Sequence, residues 1–219
     1  MMIQSFGWQS VQFLFHGLVW TVGLSLCTFV GGGIFGLLFA IARSLGPNWL
    51  RTLVAGYIQL VQATPLLIVV FLSYYGLSFL GFYFPPLAAA AISLTIYATA
   101  FLADIWRGCI EAIPRTQWEA ADALALSPFQ RLRYVILPQA FKISLGPTVG
   151  FMVQIVKNTS VTALIGFVEL TRAGQLLNNM TFQPFHVFLT VAAMYFVICY
   201  PLSWWSEKLK ERKHAGTAH

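Results

Sequence analysis

Lys157 is a lone charge inside an apolar stretch, and it is followed at once by Asn158, Thr159 and Ser160. It lies fifteen residues beyond Lys142, about 22 Å along a helix. A cation at that depth in a bilayer costs at least ~2.5–3.5 kcal/mol, and its default role is functional. The adjoining amide and hydroxyls favour a local break in the helix, and a broken helix beside a cavity offers backbone groups to a ligand. The chemistry this suits is recognition of a zwitterionic solute, with Lys157 or nearby N–H groups meeting its carboxylate. The plain alternative has Lys157 snorkelling to the outer interface or pairing with Glu169. A second polar group, Gln62-Ala63-Thr64-Pro65, also interrupts an apolar run. Pro65 removes one helix hydrogen bond and leaves carbonyls near Val61 available, or else it marks a simple kink.

Covalent chemistry has little support. Serines, histidines and acids are present, but none shows the spacing of a nucleophile and its base. His16 and His186 each stand at the start of an apolar run, and His214 and His219 lie in the tail, with no metal-ligand spacing. Cys27, Cys109 and Cys199 are dispersed without a CxxC and read as small apolar residues. No phosphate-binding loop G-x-x-x-x-G-K-[ST] occurs, so any use of ATP requires a partner chain. No cofactor is expected.

The elements that must hold these residues are apolar helices. Hydrophobic residues make up 58% of the 219 and charged ones only 9%, where a soluble domain carries about 25% charged. The formal net charge is +6. Its basic residues sit in short segments between apolar runs, which fits the orientation rule for membrane loops rather than nucleic acid binding. The expected fold is all-α: one polytopic membrane domain over residues 1–219, with about five transmembrane helices. Spans are predicted near 17–42, 54–80, 86–106, 143–165 and 186–206. Gly32 and Gly36 in the first read as packing positions. The N-terminus lacks a basic region and a cleavage signal, so the first span is expected to be retained.

Five spans place the termini on opposite sides. The 43–51 turn, the 107–142 loop and the basic tail (Lys208, Lys210, Arg212, Lys213) then share one side, which the excess of Lys and Arg assigns to the cytoplasm. The N-terminus is expected outside. Asp104 and Arg107 read as a local interfacial pair.

The 107–142 loop is predicted to hold two short helices at an angle. Glu111 with Arg115, and Arg115 with Glu119, have i,i+4 spacing. Ser127 suits an N-cap and Pro128 a first helical position, while Pro138 should end the second helix. Ala120, Ala121, Ala123 and Ala125 give the first helix a small-residue surface, either a seat for another protein or simply good helix formers.

Glu119-Ala120-Ala121, Leu124 and Ile136-Leu137-Pro138 resemble the EAA loop of bacterial ABC importer permeases. Thr64-Pro65-Leu66-Leu67, Arg107-Gly108, Leu137-Pro138-Gln139-Ala140, Lys157-Asn158-Thr159-Ser160 and Glu169-Leu170-Thr171 are similar to the polar amino acid (His/Glu/Gln) permeases. The resemblance runs from about residue 15 to 206 and rests on the order and spacing of these motifs. It implies a transmembrane subunit of an amino acid importer, coupled to a separate ATPase through Glu119, Ala120, Ala121, Asp122, Leu124, Ala125 and Leu126. Gln62, Thr64, Pro65, Lys157, Asn158, Thr159 and Ser160, the polar residues that interrupt the apolar runs, are the expected substrate path. The resemblance also implies ABC ATPase subunits and an extracytoplasmic amino acid-binding protein as partners; a second permease chain, the same or related, is expected because five helices do not readily enclose a solute path. The family usually has Gly where this chain has Ala125, Gly-Gln at Thr116-Gln117, Arg at Gln62 and Asp at Asn158. Ala125 permits close contact, but a left-handed backbone there carries strain. Losing an acid at Asn158 argues against a strongly cationic substrate. A stand-alone secondary transporter or channel is the alternative function; it would want buried acids or histidines for ion coupling. A membrane enzyme ranks last.

Overall fold

The computed structural model describes the backbone of residues 6–215 and the side chains of residues 6–211. The first five residues, the side chains of Arg212, Lys213 and His214, and His219 lie outside the described residues. Eight helical elements follow in chain order: α1 (Trp8–Leu45), α2 (Asn48–Ala63), α3 (Leu66–Phe79), α4 (Pro86–Glu111), α5 (Arg115–Ala123), α6 (Pro128–Ile165), α7 (Leu170–Thr181) and α8 (Pro184–Ala215). No strand occurs among the described residues.

Four of these helices are long and apolar enough to cross a bilayer, and α2 with α3 supplies a fifth crossing if that bent pair is one span. The spans predicted from sequence are therefore present, though longer. The first starts at Trp8 rather than near 17, and α1 would extend about 57 Å at 1.5 Å per residue. The second is no straight helix. α2 and α3 meet at 105°, because Thr64 takes an extended backbone (φ −98, ψ 128) ahead of Pro65, as the residue before a proline tends to.

Glycine decides how α1 seats on α4. A Cβ on Gly32 would stand 2.5 Å from the Ala98 Cβ, and one on Gly36 would stand 3.0 Å from that of Leu102. The numbering offset is the same at both contacts, so the two helices run parallel. Gly32 and Gly36 thus serve the close packing expected of them. At the other end of α1, Gly17 meets Ala173, Leu170 and Glu169. α8 runs antiparallel to α6: Gly146 faces Ser206 and Lys210, and Ser206 Oγ donates to the Gly146 carbonyl at 2.8 Å.

The side chains left outside this bundle are large and apolar. Val30, Ile34 and Leu38 of α1, and Leu189, Phe196 and Val197 of α8, are all more than half exposed. Continuous apolar surface on this scale marks an interaction with lipid or protein. Alternating passage of the helices puts the 45–48 turn, α5 and the end of α8 at one end of the bundle. The other end holds the 80–85 loop and α7. The basic and weakly charged segments thus separate in space as the sequence predicted.

Candidate coupling elbow and translocation path

α5 forms an elbow between two spans. α4 ends at Glu111, Pro114 opens α5, and Ile113 between them is buried. Ile113 packs with Ile110, Leu132, Ile136 and Ala140, and Trp118 closes over this cluster. The elbow is therefore seated on the start of α6 by an apolar core of its own.

Its end has a specific geometry. The Leu126 N–H donates to the Ala121 carbonyl at 3.3 Å, and the Ala125 N–H to the Asp122 carbonyl at 2.9 Å. Together these form a Schellman cap, whose left-handed position is normally glycine. Here it is Ala125, with φ 53, and a Cβ in that region costs roughly 1–2 kcal/mol. The strain foreseen for Ala125 is thus present, and glycine would relieve it. Ser127 then caps α6. Its Oγ accepts from the Gln130 N–H at 3.3 Å, while Gln130 Oε1 accepts from the Ser127 N–H at 3.0 Å. That reciprocal pair bears out the cap predicted at Ser127–Pro128.

Two expectations for this loop are corrected. Pro138 does not end a helix. α6 runs through it, because residues Arg131–Ile136 form a π-turn in which the Leu137 N–H reaches back to the Leu132 carbonyl. The wider turn accommodates a residue that would clash with a regular preceding turn. The ion pairs also differ. Glu111 pairs with Arg107, which also bonds Asp104 at 2.8 Å, so the expected Asp104–Arg107 pair is present. Arg115 lies beyond the helix break, out of register with Glu111. Arg115 and Glu119 share α5 but close no ion pair; between exposed groups such a pair is worth only about 0–1 kcal/mol.

The predicted coupling residues divide into two groups. Glu119, Ala120, Leu124 and Ala125 are exposed, with Leu124 at 74%. Leu126 is half-buried, and Ala121 is turned wholly inward. Asp122 is bound within the chain, in an ion pair with Arg131. Asp122 stays exposed while it makes that pair, so it lies with the first group on the outer surface of the elbow.

At the other motif, α-helical geometry ends at Asn158 and a 3₁₀ turn runs from Thr159 to Ile165, closed by Gly166 at φ 87. The predicted break is therefore present. The hydroxyls of Thr159 and Ser160 bond the carbonyls of Val156 and Lys157 at 2.8 and 2.6 Å. Lys157 is exposed and lies within electrostatic range of Cys199. It does not pair with Glu169. Asn158 is half-buried beside the Tyr97 hydroxyl of α4.

Around Pro65, Gln62 is exposed and Thr64 half-buried. The Val61 carbonyl is not free: it accepts from the Thr64 N–H at 3.3 Å, and Thr64 Oγ1 bonds the Leu60 carbonyl at 2.7 Å. α3 then packs on the 3₁₀ turn, where Leu66, Val70, Val161 and Ile165 share one apolar cluster. The structure thus brings the two polar motifs onto adjoining elements.

Glu169 is the residue whose weight the sequence reading missed. Its side chain is fully buried. Oε1 accepts from the Arg172 N–H at 2.9 Å. Oε2 accepts from the Thr171 N–H at 2.9 Å, the Tyr195 hydroxyl at 2.9 Å and Thr21 Oγ1 at 3.4 Å. The carboxylate therefore caps α7 and ties α1 to α8. Burial pushes its pKa up, against the pull of those hydrogen bonds. A polar Glu-Leu-Thr-Arg run opening an amphipathic helix was the available signal, although Glu is not among the preferred cap residues.

Comparison with known proteins agrees with this architecture. The glutamine transport system permease protein GlnP of Escherichia coli K12 is 33% identical over 208 residues, 94% of each chain. The L-cystine transport system permease protein TcyB of Bacillus subtilis is 30% identical over 90% of this chain and 86% of its own. Among solved structures, an amino acid ABC transporter crystallised with histidines superposes with a TM-score of 0.86 at 29% identity, over 92% of this chain and 94% of that one. The MetNI methionine ABC transporter shares the fold, with a TM-score of 0.80 at 19% identity, over 93% and 97%. The profile of the binding-protein-dependent transport system inner membrane component matches residues 32–214. With relatives this similar over nearly its whole length, the chain belongs to that family of membrane-embedded transport subunits.

Proposed function

We propose that the chain is the transmembrane subunit of an ABC importer for polar amino acids, driven by a separate ATPase that docks on α5. The observation that carries this reading is the form of the elbow. A short helix leaves the bundle between two spans, is fixed to them by its own apolar core, and presents Glu119, Ala120, Leu124 and Ala125 outward. A partner pressing on such a helix moves α4 and α6 with it. The amino acid class rests on the names of the relatives and on the Lys157–Ser160 cluster, whose cation and amide suit a zwitterion.

In this reading the elbow and the basic tail face the cytoplasm and the N-terminus faces outward, in keeping with the charge bias. A second permease chain completes the solute path, since five helices do not readily enclose one. An extracytoplasmic binding protein delivers the amino acid at the end that carries α7. The residues Gln62, Thr64, Pro65 and Lys157–Ser160 line the path.

Glu119→Lys tests the docking directly. It reverses an exposed charge without touching the apolar seat of the elbow. Expected is a loss of at least tenfold in uptake of arginine, glutamine or glutamate, whichever the unmodified chain carries fastest. The ATPase should no longer co-purify, and the amount of chain in the membrane should stay unchanged. Full uptake in this variant would remove the docking role. Uptake that persists with no ATPase present would point instead to a stand-alone transporter.

A further inference from the structure

The contacts between α5 and α6 include one that reaches into the elbow from the span. Arg131 opens the π-turn of α6, and its side chain is only 21% exposed. Its guanidinium pairs with the Asp122 carboxylate near the end of α5. The same group stands over the Trp118 ring, 5.3 Å from the centroid. Its Nε is buried without a hydrogen-bond partner. Arg131 is therefore held by α5 from two directions, while its own backbone belongs to the helix that runs on to Asn158 and the 3₁₀ turn.

We propose that Arg131 is the positioning residue that makes the elbow move as one body with α6, through its joint hold on Asp122 and Trp118. The inference rests on the docking of the ATPase at α5. An elbow attached only by an apolar seat slides or tilts under load, because such contacts are non-directional. A cation that pairs with a carboxylate and also stands over an indole ring holds α5 at two points with a preferred direction at each. A second, parallel tie runs from Gln139 Nε2 to Gln117 Oε1 at 3.1 Å. It acts at the opposite end of α5 from Asp122, so the two together oppose rotation of the helix about its seat. Glu119, Ala120, Leu124 and Ala125 are not part of either tie. Recruitment of the ATPase and transmission of its motion are thus assigned to different side chains of one short helix.

The test uses the complete transporter: this chain with its ATPase subunits and binding protein, reconstituted in lipid vesicles. Arg131→Met keeps the apolar stem and removes the charge. Expected are ATPase co-purification within about twofold of the unmodified chain and at least a tenfold fall in amino acid moved per ATP hydrolysed. Arg131→Lys retains a cation for Asp122 and for the Trp118 face, and should recover at least half of that coupling. Asp122→Asn should reproduce the loss. Unchanged coupling in Arg131→Met would overturn the proposal. So would a parallel loss of recruitment and transport, or a failure of Arg131→Lys to recover, since a general structural role predicts those. Failure of the underlying docking reading shows itself separately: the unmodified chain would bind no ATPase at all.

Discussion

Gly32→Leu is expected to reduce the yield of folded, monodisperse chain at least tenfold, as measured by size-exclusion chromatography of the detergent-solubilised protein. At Gly32 even a single carbon meets the Ala98 Cβ at 2.5 Å, with the backbone of Ala98 and Thr99 at 3.2 and 3.3 Å behind it. Neither neighbour is the flexible end of a side chain. Overpacking costs typically about 1–3 kcal/mol for added methylenes, and here the only relief is to part α1 from α4 along their parallel seam. Gly36 and Gly31 lie on the same seam, at 3.0 Å from Leu102 and Thr95, so separation at Gly32 loosens the contact over two turns. Gly32→Ala should cost about 2 kcal/mol on the same reasoning. Adding Ala98→Gly should return most of that, because it moves one methyl from one side of the seam to the other. If Gly32→Ala and its combination with Ala98→Gly are equally stable, the close approach described here is wrong.

Glu169→Ala is expected to be the most destabilising change to a polar residue. It deletes the cap of α7, worth about 1 kcal/mol. The two backbone N–H groups it strands cost about 1–3 kcal/mol each, while the Tyr195 hydroxyl loses the carboxylate and keeps Thr171 Oγ1 at 2.9 Å. A total near 4 kcal/mol follows, large against the roughly 5–15 kcal/mol by which domains are stable. Glu169→Gln retains one acceptor oxygen and should fall between the two. Thermal unfolding in detergent, followed by circular dichroism, orders the three proteins. Since Thr159 lies beside the Tyr195 hydroxyl, the alanine variant should also loosen the 3₁₀ turn after Asn158. That loosening would appear as faster amide hydrogen exchange over residues 159–165. An alanine variant as stable as the unmodified chain would show that the carboxylate network carries no weight.

The features that were readable from sequence are those set by local chemistry. Long apolar runs gave five predicted spans, of which four are single long helices and the second is a bent pair, and the adjacent Ser127 and Pro128 announced a helix start. The break at Asn158–Ser160 followed from side chains that bond their own backbone. What escaped was decided by partners far along the chain. Pro138 looked like a helix end, but the π-turn that accommodates it has no sequence signature of its own. The proline at 65 announced a kink, and its extension to a 105° turn depends on how α3 packs against the 3₁₀ segment. Asp122 read only as part of an outward surface; it is exposed, and its ion pair with Arg131, nine residues on, had no local signal. Glu169 read as one polar residue among several, because its partners Thr21 and Tyr195 lie 148 and 26 residues away. Ala125 is the instructive intermediate. The departure from glycine was visible, and its consequence, a strained Schellman position, followed once the backbone was in place.

The docking of an ATPase on α5 is tested most directly by a single cysteine at position 124, where the leucine is 74% exposed at the tip of the elbow. Cys27 would be replaced by serine and Cys109 and Cys199 by alanine, and the chain labelled with a maleimide that does not cross membranes. The account predicts labelling in inverted vesicles, none in intact cells, and at least tenfold protection when the ATPase subunits are present. Labelling in intact cells, or in inverted vesicles at the same rate with and without the ATPase, would contradict it.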